Sequence, residues 1–166
     1  MKALRLLIVI GLLAVSTQLP AKGQAVPDLG LRDFSGQPAG LDKYVGKGKW
    51  VLVMFWGLNC PICERNKPDI NAFHDAHKDK DAEVVGVVIN GMESKAAIEK
   101  AIQRHPLTFP NYIAELGLMA MNFQIAAEEP FRGTPTYWLF NPKGELVAVN
   151  PGPIRKEALE NFIATH

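Results

Sequence analysis

The chain has 166 residues, of which 48% are hydrophobic, so it is long enough for one domain with a substantial core. Its formal net charge of +1 gives no strong field, which argues against nucleic acid and acidic substrates as partners. The sequence has no internal repeat, low-complexity tract or long run of like charge, so we expect one domain after a short leader.

The N-terminus has the pattern of a signal peptide. Lys2 and Arg5 precede the apolar run LLIVIGLLAV, which is too short to span a bilayer comfortably but suits a signal-peptide core. Small residues follow, and we expect cleavage after Ala25. Retention of residues 1–25 as a membrane anchor is the alternative. The domain at residues 26–166 is then exported to a compartment in which disulfide chemistry is permitted.

The first half of the domain predicts an arm, a strand, a helix and a second strand. Residues 26–48 are rich in Gly, Pro and Asp, which indicates an N-terminal hairpin or arm. The run WVLVMFW at residues 50–56 is apolar on both faces, as expected of a central strand. A helix should begin just after Cys60, with Pro68 inside it removing a backbone donor and kinking it. Residues 83–89, EVVGVVI, form a second buried strand.

The second half predicts three helices and an antiparallel hairpin. The helices are expected at residues 96–105, 116–125 and 155–164. The turn NPKG joins strands at residues 136–140 and 145–149. A crossover helix between the two earlier strands makes them parallel neighbours. The expected fold class is therefore α/β, with a mixed central sheet flanked by helices.

The stretch FWGLNCPICERNKP contains Cys60 and Cys63, the only two cysteines of the chain. A zinc site needs about four ligands, and this pair supplies two. His74 and His77 lie about three turns further along the helix, beside charged residues, and are interpreted as solvated. A disulfide closing so short a loop removes little chain entropy, so a structural staple would contribute little. A redox pair fits better.

The two cysteines occupy different positions on the predicted helix. Cys60 lies at its N-terminus, where unpaired amides and the helix dipole stabilise a thiolate. Such positions bring a cysteine pKa to roughly 3.5–7.5, against about 8.5 when free. Cys63 lies one turn in and should be more buried. We therefore predict a thiol-disulfide oxidoreductase with Cys60 as attacking thiol and Cys63 as resolving thiol, using no metal and no dissociable cofactor.

At these residues the chain resembles the thioredoxin superfamily, and more narrowly its exported TlpA/ResA-type thiol-disulfide oxidoreductases. The resemblance covers about residue 26 to the C-terminus. Its motifs are LRDFSGQPAGL, the FW ahead of the first cysteine, Pro68, the segment RGTPT and the hairpin NPKGELV. The resemblance implies a thioredoxin-like fold, a mixed central sheet flanked by helices, with an N-terminal hairpin extension.

The resemblance also implies a substrate-binding surface around the disulfide. Pro135 is expected to be cis and to face the disulfide, and Thr134 backbone groups are expected to pair with the substrate chain. Trp56 is expected to shield the cysteines and offer a flat apolar contact. Pro61, between the two cysteines, is a favourable first residue of the helix. We also count it among the expected substrate-binding residues.

The partners implied by the resemblance are other exported proteins. The chain would act in the periplasm or on the outer face of the cytoplasmic membrane, exchanging disulfides with client proteins. A reductase role is favoured, on apocytochrome c or another exported client. A membrane dithiol donor would reduce the Cys60–Cys63 disulfide after each exchange.

Three departures from the family pattern affect the site. Met54 stands where thioredoxin has a buried aspartate, and Asn66 where TlpA-like proteins often have glutamate. The aspartate and the glutamate of those relatives are candidate proton acceptors for the second cysteine, and this chain lacks both. Glu64 could replace them, although a solvated helix charge is the interpretation we favour. Asn59 stands where many relatives have an aromatic residue.

Two alternatives come from other functional classes. In a copper-handling protein, Cys60 and Cys63 would hold Cu(I) with His105 or a methionine, although related copper chaperones usually space their cysteines CxxxC. A peroxidase of the same superfamily would have a threonine two or three residues ahead of a single reactive cysteine, and WGLNCPIC has none.

Overall fold

The computed structural model describes residues 26–166. The signal-peptide prediction for residues 1–25 lies outside the described residues. The regular elements are β1 (Trp50–Trp56), α1 (Pro61–His77), β2 (Ala82–Val88), α2 (Lys95–Arg104), β3 (Asn111–Ile113), α3 (Leu116–Ala127), β4 (Thr136–Phe140), β5 (Leu146–Pro151) and α4 (Lys156–Thr165), with short 3-10 helices at Leu41–Lys43 and Met92–Ser94.

The sheet has five strands in the order β3-β2-β1-β4-β5. β1 pairs parallel with β2 and antiparallel with β4, so the predicted mixed sheet and antiparallel hairpin are both confirmed. All seven residues of β1 are buried, which explains its unbroken apolar sequence. Trp56 pairs with Val88, and Val88 with Ile113, so the C-terminal ends of the three parallel strands lie side by side.

Helices cover both faces of the sheet, as predicted. One buried cluster includes side chains from α1, α2 and α4, and the other joins α3 to the N-terminal arm. The arm folds back through a bridge between Arg32 and Pro38 and also pairs antiparallel with Ile113 of β3. Among residues 26–166, no helix has both the length and the apolar character needed to cross a membrane.

Two features differ from the sequence predictions. β3 has only three residues, too few to give a periodic pattern, and was not predicted. His74 is buried rather than solvated, and its Nδ1 accepts a 3.0 Å hydrogen bond from the Val84 amide. Burial lowers the pKa of His74, which favours the neutral ring that this acceptor role requires.

Candidate active site

The two cysteines form a disulfide at the start of α1, with their Cα atoms 5.2 Å apart. Cys60 is the N-cap residue in an extended conformation, and Pro61 is the first residue of the helix. Proline suits this position because its missing amide would have no partner within the helix. The Cys63 amide donates a 3.1 Å hydrogen bond to Cys60 Sγ. The sulfur therefore occupies the place of a capping oxygen at the positive end of the helix.

The two sulfurs differ in their access to solvent. Cys63 is fully buried within the cluster beneath the sheet, whereas Cys60 is partly exposed. Pro61 and Ile62, the residues between them, are exposed. A partner molecule can therefore reach Cys60 but cannot reach Cys63 directly.

The segment before β4 lies against the disulfide. The Thr134–Pro135 peptide bond is cis, and the Thr134 carbonyl oxygen is 3.5 Å from Cys60 Sγ. The Pro135 carbonyl accepts a 2.8 Å hydrogen bond from the Gly152 amide, which ties the segment to the end of β5. The geometry therefore brings Thr134 and Pro135 together with the cysteines.

The loop between β1 and Cys60 is held by β2 and the residues after it. The Leu58 amide donates to Asn90 Oδ1 at 2.7 Å, and the Ile89 amide donates to the Trp56 carbonyl at 3.0 Å. Asn59 adopts a left-handed conformation with φ 57°. Asparagine tolerates that conformation better than most residues, which gives a physical reason for its presence ahead of Cys60.

Trp56 is fully buried behind the site. Its Nε1 donates a 2.9 Å hydrogen bond to Asn111 Oδ1 on β3. The ring therefore has no exposed face to offer a partner, unlike the flat apolar contact that the family resemblance implies. It supports the site from below and links β1 to the edge of the sheet.

Glu64 is less solvated than the sequence suggested, with 31% of its side chain exposed. Its Oε1 is 2.6 Å from Nζ of Lys67, whose side chain is buried. Its Oε2 is shielded from solvent and has no hydrogen-bond partner among residues 26–166, with Nε2 of His105 at 3.8 Å. The Lys67 ammonium lies 4.3 Å from the centroid of the Trp56 ring. The sequence spacing of Glu64 and Lys67 permits a surface pair but does not reveal this burial.

Asn66 has a structural role. Its Oδ1 accepts hydrogen bonds from the Tyr137 hydroxyl at 2.7 Å and the Ile154 amide at 2.9 Å. Its Nδ2 donates to the Ile154 carbonyl at 2.7 Å. Burial raises the pKa of Tyr137 well above its usual range, so the hydroxyl stays protonated and keeps donating. No local pattern in the sequence predicts these three hydrogen bonds.

A groove of about 390 Å³ opens beside Cys60, the partly exposed cysteine. It is lined by Leu58, Asn59, Cys60, Pro61 and Glu64 on one side and by Ala101, Arg104 and His105 at the end of α2 on the other. Within residues 26–166, no group of three or more His, Cys, Asp or Glu side chains is arranged to hold a metal ion.

Comparison with known proteins gives relatives over most of the chain. Residues 22–149 match the AhpC/TSA family. The chain is 31% identical over 143 residues to "Thiol-disulfide oxidoreductase ResA" of Geobacillus kaustophilus, covering 86% of this chain and 76% of the relative. It is 28% identical over 149 residues to "Sporulation thiol-disulfide oxidoreductase A" of Bacillus subtilis, covering 89% and 85%.

A solved structure shares the fold. It is the thioredoxin domain of a thiol-disulfide oxidoreductase from Bacteroides vulgatus, with a TM-score of 0.67 and 26% identity, covering 87% of this chain and 96% of that one. The fold is therefore thioredoxin-like, as the sequence motifs implied.

Proposed function

Because the chain belongs to the AhpC/TSA family and is a thiol-disulfide oxidoreductase of the ResA type, we propose that it acts as a disulfide reductase on exported proteins. In this proposal Cys60 is the attacking thiol and Cys63 the resolving thiol. The observation that carries this assignment of the two thiols is the difference in exposure between Cys60 and Cys63. Cys60 is partly exposed at the start of α1, whereas Cys63 is fully buried one turn further on.

The reaction is a two-electron exchange. The Cys60 thiolate attacks one sulfur of a client disulfide, the client S–S bond breaks, and the leaving sulfur takes a proton from water. Cys63 then loses its proton to water and its thiolate attacks Cys60 Sγ. The mixed disulfide breaks, the second client sulfur leaves and is protonated, and the Cys60–Cys63 disulfide is formed. The electrons come from the cysteine pair itself, so the proposal needs no dissociable cofactor.

Client binding is proposed at the segment before β4. A client segment in extended conformation could pair with the backbone of Thr134, whose carbonyl oxygen is 3.5 Å from Cys60 Sγ. Pro61, which is exposed, would lie beside the client sulfur, and Pro135, which is buried, would hold the Thr134 backbone in position. Trp56 would contribute from beneath the surface, by holding β1 in place behind the disulfide.

The reductase direction and the cellular setting are supported by the family resemblance and by the leader sequence. We propose that residues 1–25 direct export as a signal peptide, or remain as an anchor, and that residues 26–166 form the working domain. Its place is the periplasm or the outer face of the cytoplasmic membrane. Clients would be exported proteins such as apocytochrome c. Each turnover oxidises the pair, so a membrane dithiol protein is proposed as the electron donor.

Trapping tests the two thiol roles. Cys63→Ser should accumulate a mixed disulfide with a disulfide-bonded test peptide, detected by mass, whereas Cys60→Ser should form none. The double variant is the matched control. Reduction of the peptide by Cys60→Ser at the normal rate would overturn the assignment.

The reduction potential tests the direction. Equilibration of residues 26–166 against thiol buffers should give a value near roughly −270 mV, as in thioredoxin. A value between about −120 and −180 mV would indicate an oxidase or isomerase instead. Rapid reaction of the reduced protein with peroxide would favour the peroxidase alternative.

A further inference from the structure

Lys67 is the only lysine or arginine that is buried within residues 26–166, with 2% of its side chain and backbone exposed. Its ammonium contacts Glu64 at 2.6 Å and the Trp56 ring at 4.3 Å from the centroid. The Lys67 side chain is 3% exposed and that of Glu64 31%, so the ammonium loses most of its hydration and the pair is a poor source of stability. A buried charge beside a reactive group is, in contrast, a common device for tuning that group.

Lys67 lies on the same face of α1 as the resolving cysteine. It follows Cys63 by four residues, and residues with this spacing have β-carbons about 5–6 Å apart on a helix. Both side chains are buried, and Cys63 belongs to the same buried cluster as Trp56, the ring beneath the ammonium. Lys67 and the sulfur that must become a thiolate therefore belong to residues about one helical turn apart on the same buried face of α1.

The chemistry of the resolving step calls for such a cation. Cys63 has no exposed surface, and a thiolate formed away from water is unfavourable without a nearby positive charge. The charged or titratable groups around this end of α1 are Glu64, Arg65, Lys67 and Asp69 on the helix, Arg104 and His105 at the end of α2, Tyr137 on β4, and Arg155 just before α4. Arg104 and His105 are exposed.

We infer that Lys67 is a positioning residue for the resolving step, and that its ammonium is the counter-cation of the Cys63 thiolate. Glu64 fixes the position of the ammonium and partly offsets its charge. The inference rests on the proposed function, because it concerns the second of the two exchange steps. In that step the Cys63 proton passes to water, the sulfur attacks Cys60 Sγ, and the bond between Cys60 and the client sulfur breaks.

The experiment is a titration of Cys63 in reduced Cys60→Ser protein, followed by the ultraviolet absorbance of the thiolate. Lys67→Gln should raise the pKa of Cys63 by roughly one unit, a tenfold loss of thiolate at a given pH. Glu64→Gln should lower that pKa, because it removes the negative neighbour and leaves the ammonium in place. Lys67→Arg should preserve the original value.

The pKa of Cys63 is expected to rise in Lys67→Gln and to fall in Glu64→Gln, and these opposite shifts distinguish an electrostatic role from a structural one. Both substitutions break the same ion pair, so a merely structural pair would shift the pKa of Cys63 in one common direction or leave it unchanged. Either of those results would overturn the inference. The matched control is Lys95→Gln, which breaks the exposed pair between Lys95 and Glu99 on α2 and should have no effect. If Lys67→Gln does not fold, the pKa of Cys63 measured in Glu64→Gln and Lys67→Arg still tests the inference.

Kinetics with both cysteines present gives a second measurement. Lys67→Gln should slow decay of the mixed disulfide about tenfold near pH 7 while leaving its formation at Cys60 nearly unchanged. If the wild-type chain shows no exchange at all, the proposed function fails. If the wild-type chain exchanges normally and Lys67→Gln leaves the Cys63 titration unchanged, only the inference about Lys67 fails.

Discussion

Asn66 and Ile154 are joined by two hydrogen bonds, one in each direction, between α1 and the loop that leads into α4. The same amide oxygen accepts from the Tyr137 hydroxyl on β4. One side chain therefore connects three separate parts of the fold next to the disulfide-bearing helix. A carboxylate at this position could not donate to the Ile154 carbonyl.

Asn66→Ala should lower the free energy of unfolding by about 2–4 kcal/mol. The substitution removes three hydrogen bonds and leaves the polar groups of Ile154 and Tyr137 without these partners. Urea unfolding of the oxidised protein measures the change. The matched control is Asn161→Ala on the exposed side of α4, which should change stability by less than about 0.5 kcal/mol. Equal effects of the two substitutions would contradict this account of Asn66.

Gly86→Ala should destabilise the sheet by about 1–3 kcal/mol. A β-carbon added at Gly86 of β2 would lie 2.6 Å from Asn111 Cγ and 3.1 Å from a ring carbon of Phe109. The displaced Asn111 would also lose its hydrogen bond from Trp56. Thermal or urea unfolding measures the loss, and the near-ultraviolet signal of the tryptophans reports the displacement.

The matched control for that experiment is Gly117→Ala in α3. Apart from the backbone of α3 itself, a β-carbon there meets no atom of the described part of the chain within 4 Å, and alanine is the better helix former. We expect stability to be unchanged or raised by up to about 1 kcal/mol. Destabilisation by Gly117→Ala equal to that of Gly86→Ala would point to a general effect of glycine replacement and not to the contact at Asn111.

Asn59→Val should destabilise the oxidised protein by about 1–2 kcal/mol, because a β-branched residue is strained at φ 57°. Asn59→Gly tests the same position without that strain and should stay within about 0.5 kcal/mol of the wild type. Differential scanning calorimetry of the oxidised forms compares them. A valine variant as stable as the glycine variant would show that the backbone does not need this conformation.

His74 should make stability depend on pH. Burial lowers its pKa in the folded protein below the ordinary value of 6.5. At a pH above the pKa of His74 in the unfolded chain, the ring is neutral in both the folded and the unfolded protein, and the full stability is present. As the pH falls through 6.5, the unfolded chain binds a proton that the folded protein rejects, so stability decreases until the folded pKa is reached.

Urea unfolding between about pH 5 and 8 measures this dependence for His74→Gln and the wild type. Glutamine can still accept the Val84 amide but does not titrate, so the variant should lose part of the slope below pH 6.5. His166→Gln, at the exposed C-terminus, is the control and should keep the wild-type slope. A slope unaltered by His74→Gln would refute the assignment.

The main elements could be predicted because their signals are local. β1 and β2 are long apolar runs, and the start of α1 has Pro61 directly after Cys60. β3 could not be predicted, because three residues become a strand only through pairing with β2. The cysteine pair was found from spacing and position alone.

The surroundings of the cysteines were harder to predict because they depend on tertiary contacts. The burial of Lys67 requires the Trp56 ring beneath it, and the role of Asn66 requires Ile154, 88 positions later in the chain. Neither partner can be identified from helical spacing. The i, i+3 spacing of Glu64 and Lys67 was the one local signal that pointed to a pair.

The contact between the N-terminal arm and β3 has a consequence for handling the protein. Arg32 and Ile113 exchange two backbone hydrogen bonds, of 2.9 and 2.8 Å, along the outer side of β3. An uncovered strand at this border would be a template for pairing with other chains. Shortening the chain past Arg32 to obtain a smaller domain would therefore expose that border and favour self-association into aggregates.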